Sequence, residues 1–259
     1  MSRLREHTAQ QKSLRRRSTY ELLVMVVLAG LVGFIVLGVG TDLSISFNHG
    51  GQVEYLTSDE RAKLELQIEQ AYSGPLSKVQ AFSPRTSLKQ IADDNQYVKT
   101  IEIPSTSVNP ATDIVVKLEP VTAEVTFGRD VYYLLENGIL VQSDSDEDYG
   151  VTQVTDTSGI NPASIQQYAS EELVSFITEL DAYLLHRNTQ PELYEITGEP
   201  REVVAQFGSG KPQAVMNTTG GAIEQGSAAI EVLNYLSDKG ELGSTQYIDV
   251  RLGTRVFFQ

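Results

Sequence analysis

Leu22–Val39 reads LLVMVVLAGLVGFIVLGV, 18 residues without a charge. At ~1.5 Å per residue a helix of that length reaches nearly the ~30 Å of a bilayer's hydrocarbon core. Hydrocarbon offers no partner to a free backbone N–H or C=O, so a spanning segment must be helical. With its flanks the stretch predicts one transmembrane helix over residues 20–41, its core bounded by Leu22 and Val39. Two other readings exist. A cleaved signal peptide has its small-x-small site at Gly38-x-Gly40, but its apolar region is normally about 7–15 residues, shorter than this one. A soluble core helix would leave no polar face. Ala29-x-x-x-Gly33 is a small-residue pair of the kind that seats a second helix.

Charge sets the expected orientation. Arg3, Arg5, Lys12, Arg15, Arg16 and Arg17 precede the stretch, and the first base after it is Arg61. That asymmetry predicts a cytoplasmic basic tail, residues 1–19, and an extracytoplasmic remainder. The expected location is therefore a cell membrane, crossed once.

The chain has 259 residues and a formal net charge of −14. Six bases and two acids lie in the first 21 residues, so the rest carries about −18. An acidic surface of that size argues against DNA, RNA or anionic lipid as a partner of this part. There is no Cys, which removes disulfides and thiolate metal sites and leaves core burial to supply stability.

After the apolar stretch, Ile45 and Phe47 alternate with polar residues as in a short strand. Thr57-x-x-Glu60 is a capping-box pattern opening a helix over about 58–72, with Leu64, Ile68 and Ala71 on one face. Leu64, Leu66 and Ile68 also alternate like a strand, but the cap and the Glu/Gln/Lys content favour helix. A second helix follows Pro84, capped by Thr86 or Ser87 and ending near Asn95, with Leu88, Ile91 and Ala92 inside. Strands are predicted at Tyr97–Ile103, Asp113–Leu118 and Ala123–Phe127. Asn137-Gly138 between Val131–Leu135 and Ile139–Val141 predicts a type I′ hairpin. Leu173, Phe176, Ile177, Leu180 and Leu184 mark a long helix, opened by Ser170 and closed by His186-Arg187. Strands follow at Leu193–Thr197, Glu202–Phe207 and Gln213–Asn217, with a turn at Gly208–Lys211. A helix over about Glu224–Ser237 buries Ile230, Leu233 and Leu236, and Tyr247–Phe258 closes the chain as a strand-rich end with a kink at Gly253. The expected fold class is α+β behind the membrane helix: one domain over 42–120 and a mixed α/β domain over 121–259, with helices packed on one face of a sheet.

Signs of chemistry are sparse. Asp144, Asp146 and Asp148 alternate as in a calcium loop, but the sixth position is Tyr149 rather than Gly and the twelfth is Thr155 rather than Glu. Gly208-Ser-Gly-Lys211-Pro212 lacks the spacing of a phosphate loop and the helix that should follow it. Asn217-Thr218-Thr219 is a formal glycosylation sequon. His49 and His186 are the only histidines beyond the apolar stretch, and neither lies in a nucleophile motif. A pair of carboxylates could still do acid–base work, but nothing singles one out. No catalytic residue, cofactor or metal site is predicted.

Tyr247-Ile-Asp-Val-Arg251-Leu-Gly-Thr-Arg-Val-Phe-Phe258 resembles the last strand of the FtsQ/DivIB cell-division proteins: an aromatic, an aliphatic, Asp-aliphatic-Arg, then apolar residues. The order of parts is similar over nearly the whole chain. Leu56-Thr57-Ser58-Asp59-Glu60 is similar to the family's helix-opening phrase. Val115–Ala123 is similar to its strand ending in Glu-Arg-x-Pro-Val-Ala, with the Arg missing, and the Asn137-Gly138 hairpin to the Asp-x-x-Gly phrase after it. Tyr97 stands where the family often has Trp.

The resemblance implies a POTRA-like domain at 42–120 and an FtsQ-type β domain at 121–259. It implies a non-enzymatic divisome scaffold that links early and late division proteins and regulates septal peptidoglycan synthesis. Its partners would be FtsB- or DivIC-like and FtsL-like bitopic proteins and the septal peptidoglycan synthase complex, at the membrane of the division septum. The implied contact is the closing segment: Tyr247, Asp249, Arg251, Leu252, Phe257 and Phe258. Two readings stand for the apolar ones, core residues or partner contacts, and two for Arg251, pairing with a partner acid or with one of this domain's own. Other functional classes are a membrane-anchored envelope enzyme and a POTRA-type chaperone of polypeptide transport.

Overall fold

The computed structural model describes residues 23–30, 43–48, 54–73, 84–104, 113–142, 150–165, 167–199, 201–253 and 256–259. They form two compact units. One holds the chain to Asn48 together with Ser58–Lys117, and the other His49–Thr57 with Leu118–Gln259.

The apolar stretch is represented by a helix over residues 23–30 (α1), whose large side chains are exposed. Among the described residues no helix is long and apolar enough to cross a membrane. This overturns the expected transmembrane helix over 20–41, and with it the expected single-pass placement in a cell membrane. Residues 1–22 and 31–42, with Leu22 and Val39, lie outside the described residues. The fold class is corrected to mixed α/β, with one three-stranded and one nine-stranded sheet.

In the first unit, β1 (Ser44–Asn48) runs parallel to β3 (Asp113–Leu118), pairing Ile45 with Ile114 and Phe47 with Val116. Between them come α2 (Ser58–Ala71), α3 (Arg85–Asp93) and β2 (Val98–Glu102), and the sheet order is β1-β3-β2. The period-2 set Ile114, Val116 and Leu118 and the helical pairs Leu64/Ile68 and Leu88/Ala92 are all buried. Arg61 on α2 lies 4.7 Å over the Phe47 ring. The expected cap of α3 is corrected. Pro84 occupies the N-cap without a side-chain bond, so Thr86 and Ser87 fall inside the first turn.

The second unit is built on the sheet β12-β11-β10-β9-β8-β7-β4-β5-β6. Its strands are β4 (Val121–Phe127), β5 (Asp130–Leu135), β6 (Leu140–Gln142), β7 (Thr152–Asp156), β8 (Leu193–Ile196), β9 (Glu202–Gln206), β10 (Gln213–Asn217), β11 (Tyr247–Asp249) and β12 (Phe257–Phe258). Pairs β7·β8 and β10·β11 are parallel. Parallel neighbours need a crossover, and α4 (Glu171–His186) and α5 (Ala222–Lys239) are those crossovers. Both helices bury their apolar stripes, Phe176, Ile177, Leu180 and Leu184 on α4 and Ala229, Leu233 and Leu236 on α5, in one cluster with sheet residues such as Val125, Ala205, Met216 and Ile248. Ile230, expected inside, is only half-buried. Gly226 lets α5 approach α4, since a Cβ there would lie 2.9 Å from Leu180 Cδ1.

Two local expectations change. The β5–β6 turn is closed by Gly138 N–H donating to the Leu135 carbonyl at 2.9 Å, and only Gly138, not Asn137, has a positive φ. That is the three-residue connection with a glycine bulge rather than a type I′ turn. The strand-rich closing segment resolves into two short strands with a full turn at the expected kink: β11 and β12 pair antiparallel about residues 250–253.

Candidate interaction edge

β12 is the outermost strand of the large sheet, so the edge starts from the backbone. Tyr247 N–H donates to the Gln259 carbonyl at 3.4 Å, and Gln259 N–H returns to the Tyr247 carbonyl at 3.3 Å. This is a hydrogen-bonded pair. In an antiparallel ladder the next pair, Ile248 with Phe258, is then the non-bonded kind. The N–H and C=O of Phe258 therefore point away from β11, toward the open side. Among the described residues no strand lies beyond.

The side chains follow the same register. Phe258 sits on the face of Ile248, which is fully buried under the helices, while Phe257 sits opposite with Asp249 and Tyr247. Phe258 is 47% exposed, Phe257 58%, Leu252 65% and Tyr247 38%. Of the two readings for these apolar residues, burial in the core is thus removed. The core next to them is closed by Ile248, Val250 and Val256 instead.

Arg251 meets acids of its own unit. Its Nη2 and Nε bind Asp249 Oδ2 and Oδ1 at 2.5 and 3.0 Å, and its Nη1 reaches Glu202 Oε2 on β9 at 3.0 Å. Asp249 Oδ1 also accepts the Arg251 backbone N–H at 3.1 Å. The guanidinium, bonded to both carboxylate oxygens, holds the Asp249 carboxyl below the usual carboxylate range. The same pairing raises Arg251. The bidentate fork fixes the turn geometry, and the Glu202 bond ties the turn across two strands. Gly253, at φ +60, donates to the Val250 carbonyl at 2.9 Å and closes the turn. All six residues expected in the closing segment are therefore brought together on one edge. Glu202 was not visible as a member, because it lies 49 positions from Arg251 and nothing in its own surroundings marks it. Gln259 was missed too: its backbone zips β12 to β11.

Elsewhere, potential chemistry is structurally employed. Asp156 is buried, and its Oδ1 accepts Ser158 N–H and Oγ–H at 2.7 and 2.5 Å while Oδ2 accepts the Tyr168 hydroxyl at 2.5 Å. Burial and this bond push the Tyr168 hydroxyl far up. The cluster pins the segment leading into α4 and presents no oxygen to a substrate. His186 is exposed at the C-terminus of α4. Residues 208–211 turn between antiparallel β9 and β10, and Asn217 Oδ1 accepts Thr219 N–H at 2.9 Å. Among the described residues no group of three or more acidic or His side chains could hold a metal; Asp144, Asp146, Asp148 and His49 lie outside them. The arrangement at the closing edge can bind: it offers backbone groups for an added strand and apolar side chains on both faces. The chain matches no protein-family model, and no curated protein matches it significantly.

Proposed function

We propose that this chain is a non-enzymatic scaffold of the FtsQ/DivIB type, which links cell-division proteins and regulates septal peptidoglycan synthesis by protein–protein contact. Its partners are FtsB- or DivIC-like and FtsL-like chains and, through them, the septal synthase. One observation carries the reading: the outward backbone of Phe258, flanked by exposed Phe257 and Leu252, ends a sheet whose helix-facing core residues are buried. The Tyr-Ile-Asp-Val-Arg phrase supports it, because its Asp249 and Arg251 brace the turn that presents this strand. The element order β1-α2-α3-β2-β3 of the first unit supports the domain reading that the resemblance implied.

The test is co-purification of an FtsB- or DivIC-like partner with the full chain and with Phe258→Glu. A charge placed on the apolar edge must be desolvated on docking, so at least about tenfold weaker capture is expected. Capture at the original level by a folded Phe258→Glu protein refutes the reading.

A further inference from the structure

Asn137-Gly138 is the only Asn-Gly step in the chain. Such a step is a turn signal and also a chemically labile one, because glycine carries no side chain to shield its own backbone nitrogen. That nitrogen can lose its proton, attack the asparagine side-chain carbon Cγ and expel the amide nitrogen as ammonia. A five-membered succinimide results. Water then opens the ring at one of its two carbonyls. Opening at one gives Asp. Opening at the other gives isoaspartate, in which the main chain runs through the former side chain and gains one backbone atom. Water is the only co-reactant, and nothing is oxidised or reduced.

The fold places several restraints on that reaction. The Gly138 N–H donates to the Leu135 carbonyl at 2.9 Å, a bond that must break before the nitrogen is free to attack. Asn137 Oδ1 accepts the Ile139 N–H at 3.2 Å, which fixes the side-chain amide within the turn. The Gly138 carbonyl accepts the Tyr168 and Ala169 N–H groups at 3.0 and 3.1 Å, so this residue is held on both its amide and its carbonyl side. Gly138 is buried there, against the Ala169 carbonyl. The segment that holds it is itself anchored. The Tyr168 hydroxyl donates to buried Asp156 at 2.5 Å, and the Tyr168 ring meets Phe127 edge-on at 5.3 Å between centroids.

We propose that Asn137 is a latent deamidation site, gated by the contact between the β5–β6 hairpin and the entry of α4. The closed contact suspends the reaction, and local opening releases it. The product then keeps the contact open. An extra backbone atom inside the turn displaces Gly138, whose carbonyl no longer meets both Tyr168 and Ala169. A transient opening is thus converted into a permanent one. The site lies in the hairpin and stands independently of the β12 reading.

The test holds the full chain at mildly alkaline pH, folded in buffer and unfolded in guanidinium chloride. Peptide mapping of residues 131–142 reads the amide-to-acid mass gain and the isoaspartate content. Asn137 should react at least about tenfold more slowly in the folded chain, a ratio that corresponds to ~1.4 kcal/mol of opening. The folded rate should move in step with hydrogen exchange of the Gly138 amide, which reports the same opening. That proportionality should hold in the unaltered chain and in Tyr168→Phe, which removes the bond to Asp156 and keeps the ring. The isolated isoaspartate form should unfold at lower denaturant than Asn137→Asp, which has the same charge on an ordinary backbone. Equal rates in the folded and unfolded chains, a rate that does not follow Gly138 exchange, or an isoaspartate form as stable as Asn137→Asp overturns the proposal.

Discussion

Replacing Gly138 by Ala tests how the β5–β6 hairpin is locked to the helix layer of its unit. Gly138 has φ +83, and a Cβ built there lies 2.1 Å from the Ala169 carbonyl oxygen, a backbone atom. No real Cβ tolerates that approach, and the atom it meets cannot swing aside. The left-handed conformation alone costs Ala ~1–2 kcal/mol. To clear the clash, the chain at Ala169 must withdraw. It is held there by Tyr168 N–H and Ala169 N–H, which both donate to the Gly138 carbonyl at 3.0 and 3.1 Å. Losing two such bonds adds ~0.5–1.5 kcal/mol each. The total is about 2–5 kcal/mol. Gly128→Ala is the control: φ is +65 there, but nothing lies within 4 Å of the new Cβ, so only the ~1–2 kcal/mol backbone cost is expected. Urea denaturation followed by far-ultraviolet circular dichroism reads both, provided the slopes agree. If Gly138→Ala costs no more than Gly128→Ala, the close approach of the hairpin to the α4 entry is wrong.

The closing turn should be acid-sensitive. Asp249 titrates below its ordinary 3.8 when folded, so its contribution is present above that value and is lost as pH falls through the folded pKa. The stability difference between the native chain and Asp249→Asn should therefore hold from neutrality down to about pH 4 and shrink below it; a difference independent of pH would contradict the Arg251 pairing. At the α4–α5 crossing, Gly226→Val should cost ~1–3 kcal/mol by overpacking against Leu180 and Tyr183. Gly226→Ala should stay within about 1 kcal/mol, because its helix-propensity gain of ~0.8–1.0 kcal/mol offsets a milder contact. Thermal denaturation that ranks the two variants equally would show the helices to be farther apart.

The elements that local rules specify were legible. Asp113–Leu118 and Gln213–Asn217 have the strand limits expected from alternation, and Ser170 does cap α4, accepting Leu173 N–H at 3.3 Å. What failed depends on partners distant in the chain. Asn137-Gly138 reads as a two-positive-φ turn, but the hairpin accommodates the carbonyl bond from Gly138 to α4's entry, and only the glycine leaves the ordinary region. Ile230 fits the helical stripe, yet Ala229 and Gly226 take the buried positions because α4 crosses there. The expected span at Leu22–Val39 is not supported: among the described residues no helix is long and apolar enough to cross a membrane. At the edge, residue types were readable but their direction was not. A single strand kinked at Gly253 would leave Phe257 and Phe258 as a continuation of β11, whereas the hairpin at 250–253 returns them as a new outer strand.

That reversal makes the two ends of the sheet differ. It stops at two outer strands, β12 and β6. β6 is three residues long, ends in an exposed Gln142, and runs into Asp144, Asp146, Glu147 and Asp148 in the sequence. Adjacent like charges are one way an edge is kept from pairing. β12 carries no charge on its paired residues, and Arg251 in the turn before it is bound to Asp249 and Glu202. Among the described residues, a strand arriving at β12 meets apolar side chains and open backbone. β6 is followed in the sequence by four carboxylates in five residues. On the proposed scaffold reading, a partner with an apolar strand adds at β12. Moving Asp or Glu onto Phe257 and Phe258 together would make the two ends alike, and selective capture through this sheet should then disappear.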